Sequence, residues 1–94
     1  MLLGVRLLAE RRRKIIEHMR QNPNGWRFDQ VRNLLEFYGF TMRQRPGSHR
    51  VFSHPDLNSN LSIPDKNPVK GVYVKKVIGF LDDLLEKRRT EDEI

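Results

Sequence analysis

Phe40-Thr41-Met42-Arg43-Gln44-Arg45, Pro46-Gly47-Ser48 and His49-Arg50-Val51-Phe52-Ser53-His54-Pro55 are consecutive, and their reading decides the fold. Upstream, apolar residues recur every three or four positions. From Phe40 they alternate: Phe40 and Met42 interleave with Thr41, Arg43 and Arg45, the period of a strand with one polar face. Pro46-Gly47-Ser48 predicts a tight turn. A second strand then runs from His49 to His54 and ends at Pro55. Asp56 to Asn60 reads as loop, and Leu61-Ser62-Ile63 as a short third strand closed by Pro64.

Helical periodicity lies on both sides of this meander. Phe28, Val31, Leu34, Leu35 and Tyr38 share one face of a helix that Asp29 can cap. Gly39 stands where a left-handed C-terminal residue is wanted, with Phe40 able to fold back on the last turn. Before it, Asn22-Pro23-Asn24-Gly25 stops a first helix, about Leu3 to Gln21, whose Leu8, Ile15, Ile16 and Met19 share a face. Glu10 and Lys14, four apart, add slight support. After the meander, a polar segment from Asp65 to Gly71 leads to a last helix from Val72 to about Lys87. Its apolar positions are Tyr73, Val74, Val77, Phe80 or Leu81, and Leu84. Gly79 is a mild defect there, worth about 1 kcal/mol against alanine. The expected fold class is α+β: a three-stranded antiparallel sheet with helices on one face and the other face open. The expected division is a helical extension over 1–25, a domain over 26–88 and a disordered tail over 89–94.

The chain has 94 residues, the length of one domain, and no cysteine. A disulfide framework, a thiolate zinc site and a cysteine nucleophile are thereby excluded together. No apolar run approaches the roughly 20 residues of a membrane span. The apolar start, Met1 to Val5, precedes Arg6 and Arg11-Arg12-Arg13-Lys14, the wrong order for a secretion signal, so a reducing cytoplasm is the expected compartment. The net charge is +6. It is uneven: residues 1–50 hold eleven basic and four acidic groups, residues 51–94 seven and eight. Such a balance points to a polyanion or an acidic protein surface as partner.

Strand parity places the chemistry. With Phe40, Met42, Phe52, Leu61 and Ile63 turned to the helices, Arg43, Arg45, His49, Val51, Ser53 and Ser62 face away. One histidine then sits among two arginines on an exposed sheet. Guanidinium groups bind phosphate bidentately. An imidazole, the side chain whose ordinary titration falls near neutrality, can take the proton of a ribose 2′-hydroxyl. That oxygen can attack the adjacent phosphate, a reaction open to RNA and closed to DNA. The chain shows no carboxylate cluster for a metal, and none is expected, nor any other cofactor. His54 lies five residues from His49, about 16 Å along a strand and on the other face, so it reads as a strand-end residue. His18 reads as a surface or half-buried histidine of the first helix.

From Asp29 to Leu85 the chain resembles the HicA family of small bacterial toxins from type II toxin–antitoxin pairs. Three features carry the resemblance: Leu34-Leu35-Glu36-Phe37-Tyr38-Gly39-Phe40; the run Arg45 to Pro55 around Gly47-Ser48-His49; and Ile63-Pro64 followed by Lys70-Gly71 before an apolar helix. The resemblance implies a fold similar to double-stranded RNA-binding domains and endoribonuclease cleavage of mRNA independent of the ribosome. His49 would be the catalytic residue, and a HicB-type antitoxin would cover the site. Arg43, Arg45, Gly47, Ser48 and Arg50 would contact RNA. Arg50 stands where the family often has a second histidine, and Val72 where it often has threonine. The residues up to Gly25 are an addition of about one helix. Two roles are open to it: packing on the core through its apolar face, or widening the RNA surface with Arg11 to Lys14.

The runner-up is an RNA-binding module of the same fold without chemistry. A helix-turn-helix DNA binder built on the first two helices needs a turn of about three or four residues, and Gln21 to Phe28 is too long for one. The sequence leaves the RNA preference, the antitoxin stoichiometry and the homo-oligomeric state open.

Overall fold

The structure, a computed structural model, describes residues 2–93, without the side chains of residues 2, 3, 5 and 93. Six elements follow in order: α1 (Leu2–Gln21), α2 (Phe28–Phe37), β1 (Thr41–Gln44), β2 (His49–Ser53), β3 (Leu61–Pro64) and α3 (Gly71–Glu93). The strands form one antiparallel meander in the order β1-β2-β3. Met42 pairs with Phe52 and Phe52 with Leu61, so one row of apolar side chains crosses all three strands. That row lies against α2 and α3. Phe52, Ile63, Val31, Leu35, Val74, Val77, Leu81 and Leu84 are fully buried there, and Phe28 meets Phe52 with ring centroids 6.2 Å apart.

α2 ends as its sequence predicts. Gly39 has φ +95°. The Phe40 N–H donates to the Leu35 carbonyl and the Gly39 N–H to the Glu36 carbonyl, the paired bonds of a helix closed by a left-handed glycine. Its start differs from expectation. Asp29 is the second helical residue and Arg27 occupies the cap position. The free N–H groups find other acceptors: Gln30 Oε1 takes the Arg27 N–H at 2.9 Å, and Asn67 Oδ1 takes the Phe28 N–H at 2.8 Å. Asn67 comes from the β3–α3 connection, 39 residues away, and no local pattern announces it. The same connection is tied back again by the Val69 N–H donating to the Trp26 carbonyl.

α1 takes the first of the two roles open to it, and the C-terminal residues extend the last helix. α1 belongs to the core, since Ile16 and Met19 are buried in the same cluster as the sheet residues. Its last turn is clamped to α3 where both Arg20 Nη atoms donate to the Asp82 carboxylate, each at 2.9 Å. Leu8, placed by periodicity on the buried face, is instead exposed beside exposed Leu7, because the first turns of α1 lie beyond the core. The expected disorder over 89–94 is corrected as far as Glu93, where α3 ends; Ile94 lies outside the described residues. Glu86 holds this end in register: it pairs with Arg89, and its carbonyl accepts from Thr90 Oγ1 at 3.0 Å. Among the described residues no helix is long and apolar enough to cross a membrane.

Candidate functional site

The β1–β2 turn presents the site. Gly47 has φ +75°, a conformation that disfavours any side chain, and it reverses the chain within Pro46 to Ser48. The Arg45 N–H donates to the His49 carbonyl at 3.0 Å, closing the hairpin, and the Asp65 N–H donates to the Ser48 carbonyl at 2.7 Å. The turn is therefore fastened on both flanks, and His49 opens β2 from a fixed backbone.

Parity then sets the exposed surface. His49, Val51 and Ser53 alternate with inward Arg50 and Phe52 along β2. Arg43 lies opposite Val51, and Val51 opposite Ser62. Arg43, Arg45, His49 and Ser62 are all exposed. Arg45 is the cross-strand neighbour of His49, and Arg43 is its diagonal neighbour at about 7–8 Å. Among the described residues the side chains of Arg43, Arg45 and His49 have no hydrogen-bond or ion-pair partner. Two guanidinium groups and an imidazole thus share an open face, free to engage a ligand. Ser48 is half-buried next to them, with its carbonyl committed to Asp65.

Arg50 does not join this group. The parity that turns Phe52 inward turns Arg50 inward too, and its side chain is 16% exposed. It pairs with Asp65 at 3.4 Å and donates to the carbonyls of Gly47 and His49. Its job in the structure is to hold the turn from behind. Alternation alone carried this signal.

His54 meets the opposite environment. It is buried at the end of β2, edge-on to the Phe40 ring with centroids 5.0 Å apart. Its Nδ1 accepts the Asp56 N–H at 3.0 Å, so the proton sits on Nε2, which donates to the Tyr38 carbonyl at 3.0 Å. Both nitrogens are used by the fold in a single neutral tautomer. Arg88 donates to the same carbonyl at 3.3 Å. A β-carbon at Gly39 would stand 3.0 Å from His54 Nε2, so the helix end and the histidine are fitted to each other. His18 is exposed on α1, beside a hollow lined by Trp26 and the amides of Gln21, Asn22, Asn24 and Gln30.

Among the described residues no group of three His, Cys, Asp or Glu side chains comes together as a metal site. The Tyr38 hydroxyl, buried without a partner, was invisible to sequence reading, which saw a core aromatic. No protein-family model, curated protein or solved structure matches the chain.

Proposed function

We propose that this protein is an endoribonuclease of the HicA-like toxin type, built on a sheet-and-helix frame similar to double-stranded RNA-binding domains. The observation that carries the reading is the exposed, unpartnered His49 imidazole beside Arg43 and Arg45, in a molecule whose buried histidine is fully engaged elsewhere. His49 takes the proton of a ribose 2′-hydroxyl. The 2′-oxygen bonds to the neighbouring phosphorus as the bond to the 5′-oxygen breaks, and the 5′-oxygen leaves with a proton from water. Arg43 and Arg45 hold the phosphate and offset the charge that builds on its oxygens. Gly47 supplies the bend, Ser48 can offer its hydroxyl to a phosphate oxygen, and Arg50 positions the turn. The substrate is mRNA, and a HicB-type antitoxin that covers this face is the neutralising partner, both on the strength of the resemblance.

A second reading is favoured by one observation. The residues that share the open face with His49 are Thr41, Arg43, Arg45, Val51, Ser53, Ser62 and Pro64, and none is a carboxylic acid or a second histidine. A non-catalytic RNA-binding module would look the same. Incubating the protein with RNA in the presence of a chelator separates the two. The enzyme yields fragments ending in 2′,3′-cyclic phosphate and 5′-hydroxyl. The module yields intact RNA bound with strong salt dependence.

A further inference from the structure

α1 and α3 run antiparallel, with Arg20 against Asp82 at one end and Ala9 and Asp92 flanking the other. Between them lies a groove of about 1080 Å³, large enough for a small organic ligand. Ile16, Phe37 and Leu85 give it an apolar wall, and Tyr38 reaches it from the end of α2. Tyr38 is 6% exposed, and among the described residues its hydroxyl has no hydrogen-bond partner. Buried donors are nearly always satisfied, so an orphaned one calls for an acceptor.

The surroundings specify that acceptor. Burial pushes the Tyr38 hydroxyl above its ordinary range, against the opposing pull of Arg13, Arg12 and Arg88, so it remains a protonated donor at neutral pH. Arg12 stacks over the Phe37 ring at 4.9 Å, and Arg88 is anchored on the Tyr38 carbonyl. Arg13 is exposed on the groove wall. Among the described residues none of the three has a carboxylate within ion-pairing distance. Of the five acids that line the groove, Glu17 and Asp82 are engaged by Arg20 and Glu86 by Arg89, while Asp83 and Asp92 stand on the α3 wall beyond ion-pairing distance of these arginines. Three guanidinium groups without an ion-pair partner, on and beside Phe37 and Tyr38, suit a doubly charged oxyanion better than a single carboxylate.

We propose that this corner of the α1–α3 groove is a phosphate-binding site for a phosphate monoester or the free ion, with the Tyr38 hydroxyl and the guanidinium groups of Arg12, Arg13 and Arg88 as donors. It lies at the Ser53–His54 end of β2, the far end from His49, and does not depend on the chemistry proposed there. The apolar wall leaves room for whatever the phosphate is attached to.

The test is a titration of the full-length protein with inorganic phosphate at constant ionic strength, followed by the Tyr38 ring and arginine side-chain resonances. Saturable shifts at these groups are expected, with acetate giving none. Tyr38→Phe should weaken binding about tenfold and melt no lower than the parent, because it removes an unpaired donor. Arg13→Ala should weaken binding with the fold retained, and His49→Ala should leave it unchanged. Adenosine 5′-monophosphate binding more tightly than phosphate makes a nucleotide the source, and equal binding makes it the free ion. Absence of saturation, parental affinity in Tyr38→Phe, or a lower melting point for that variant overturns the assignment.

Discussion

Two histidines five residues apart show how completely environment sets a residue's job. Both nitrogens of His54 are consumed by the backbone of Asp56 and Tyr38, while the ring of His49 has no partner among the described residues. Glycines make the same point energetically. Gly39 combines φ +95° with a β-carbon position only 3.0 Å from the His54 ring. Gly79 is helical, and a β-carbon there meets nothing within 4 Å. Alanine should therefore have opposite effects at the two positions: a loss of more than about 1 kcal/mol at Gly39 and a gain of up to about 1 kcal/mol at Gly79. Urea unfolding of the two single variants measures both. Gly39 was legible because a helix end, a glycine and a following Phe form a local pattern. The His54 contact was not, because it joins β2 to a residue 15 positions earlier.

Among the elements, the meander was the most readable, since a period of two fixes a face as soon as one residue is known to be buried. Phe52 settles it, and Arg43, Arg45 and His49 follow outward while Arg50 follows inward. The ends of helices were less readable where their partners are remote, as at Phe28 with Asn67. The α1–α3 pairing is such a case. Arg20 donates twice to Asp82 and holds its carboxyl below the ordinary range, and the Arg20 guanidinium is correspondingly raised. The folded state thus gives up the Asp82 proton more readily than the unfolded chain. This stabilisation is present above about pH 4 and is lost as pH falls through the lowered folded value. With side chains 44% and 45% exposed the pair is screened, so it contributes no more than about 1 kcal/mol. Asp82→Asn should lower unfolding free energy by that amount at pH 7, and the gap should narrow as the pH falls through the lowered Asp82 value.

At the scale of the whole molecule, one core binds the N-terminal helix to the domain it precedes. Met19 and Ile16 lie in the same cluster as Phe52 and Leu81, so α1 is structural, and its exposed basic residues Arg11, Arg13 and Lys14 ride on a packed helix. Within the net charge of +6, Arg43 and Arg45 stand on the open face of the sheet and Arg11, Arg13 and Lys14 on the outside of α1. A small domain with few interior polar groups has little space for an enclosed active site. It does have an exposed sheet face on which a histidine and two arginines stand without a side-chain partner among the described residues. That face would carry the proposed chemistry, and the most direct measurement is cleavage of a defined RNA by the parent protein and by His49→Ala in parallel, with melting of both as the control for folding. Exposed His49 supports nothing in the core, so the variant should keep its melting free energy within about 0.5 kcal/mol and lose cleavage. A folded His49→Ala protein that cleaves RNA at the parental rate would contradict the account.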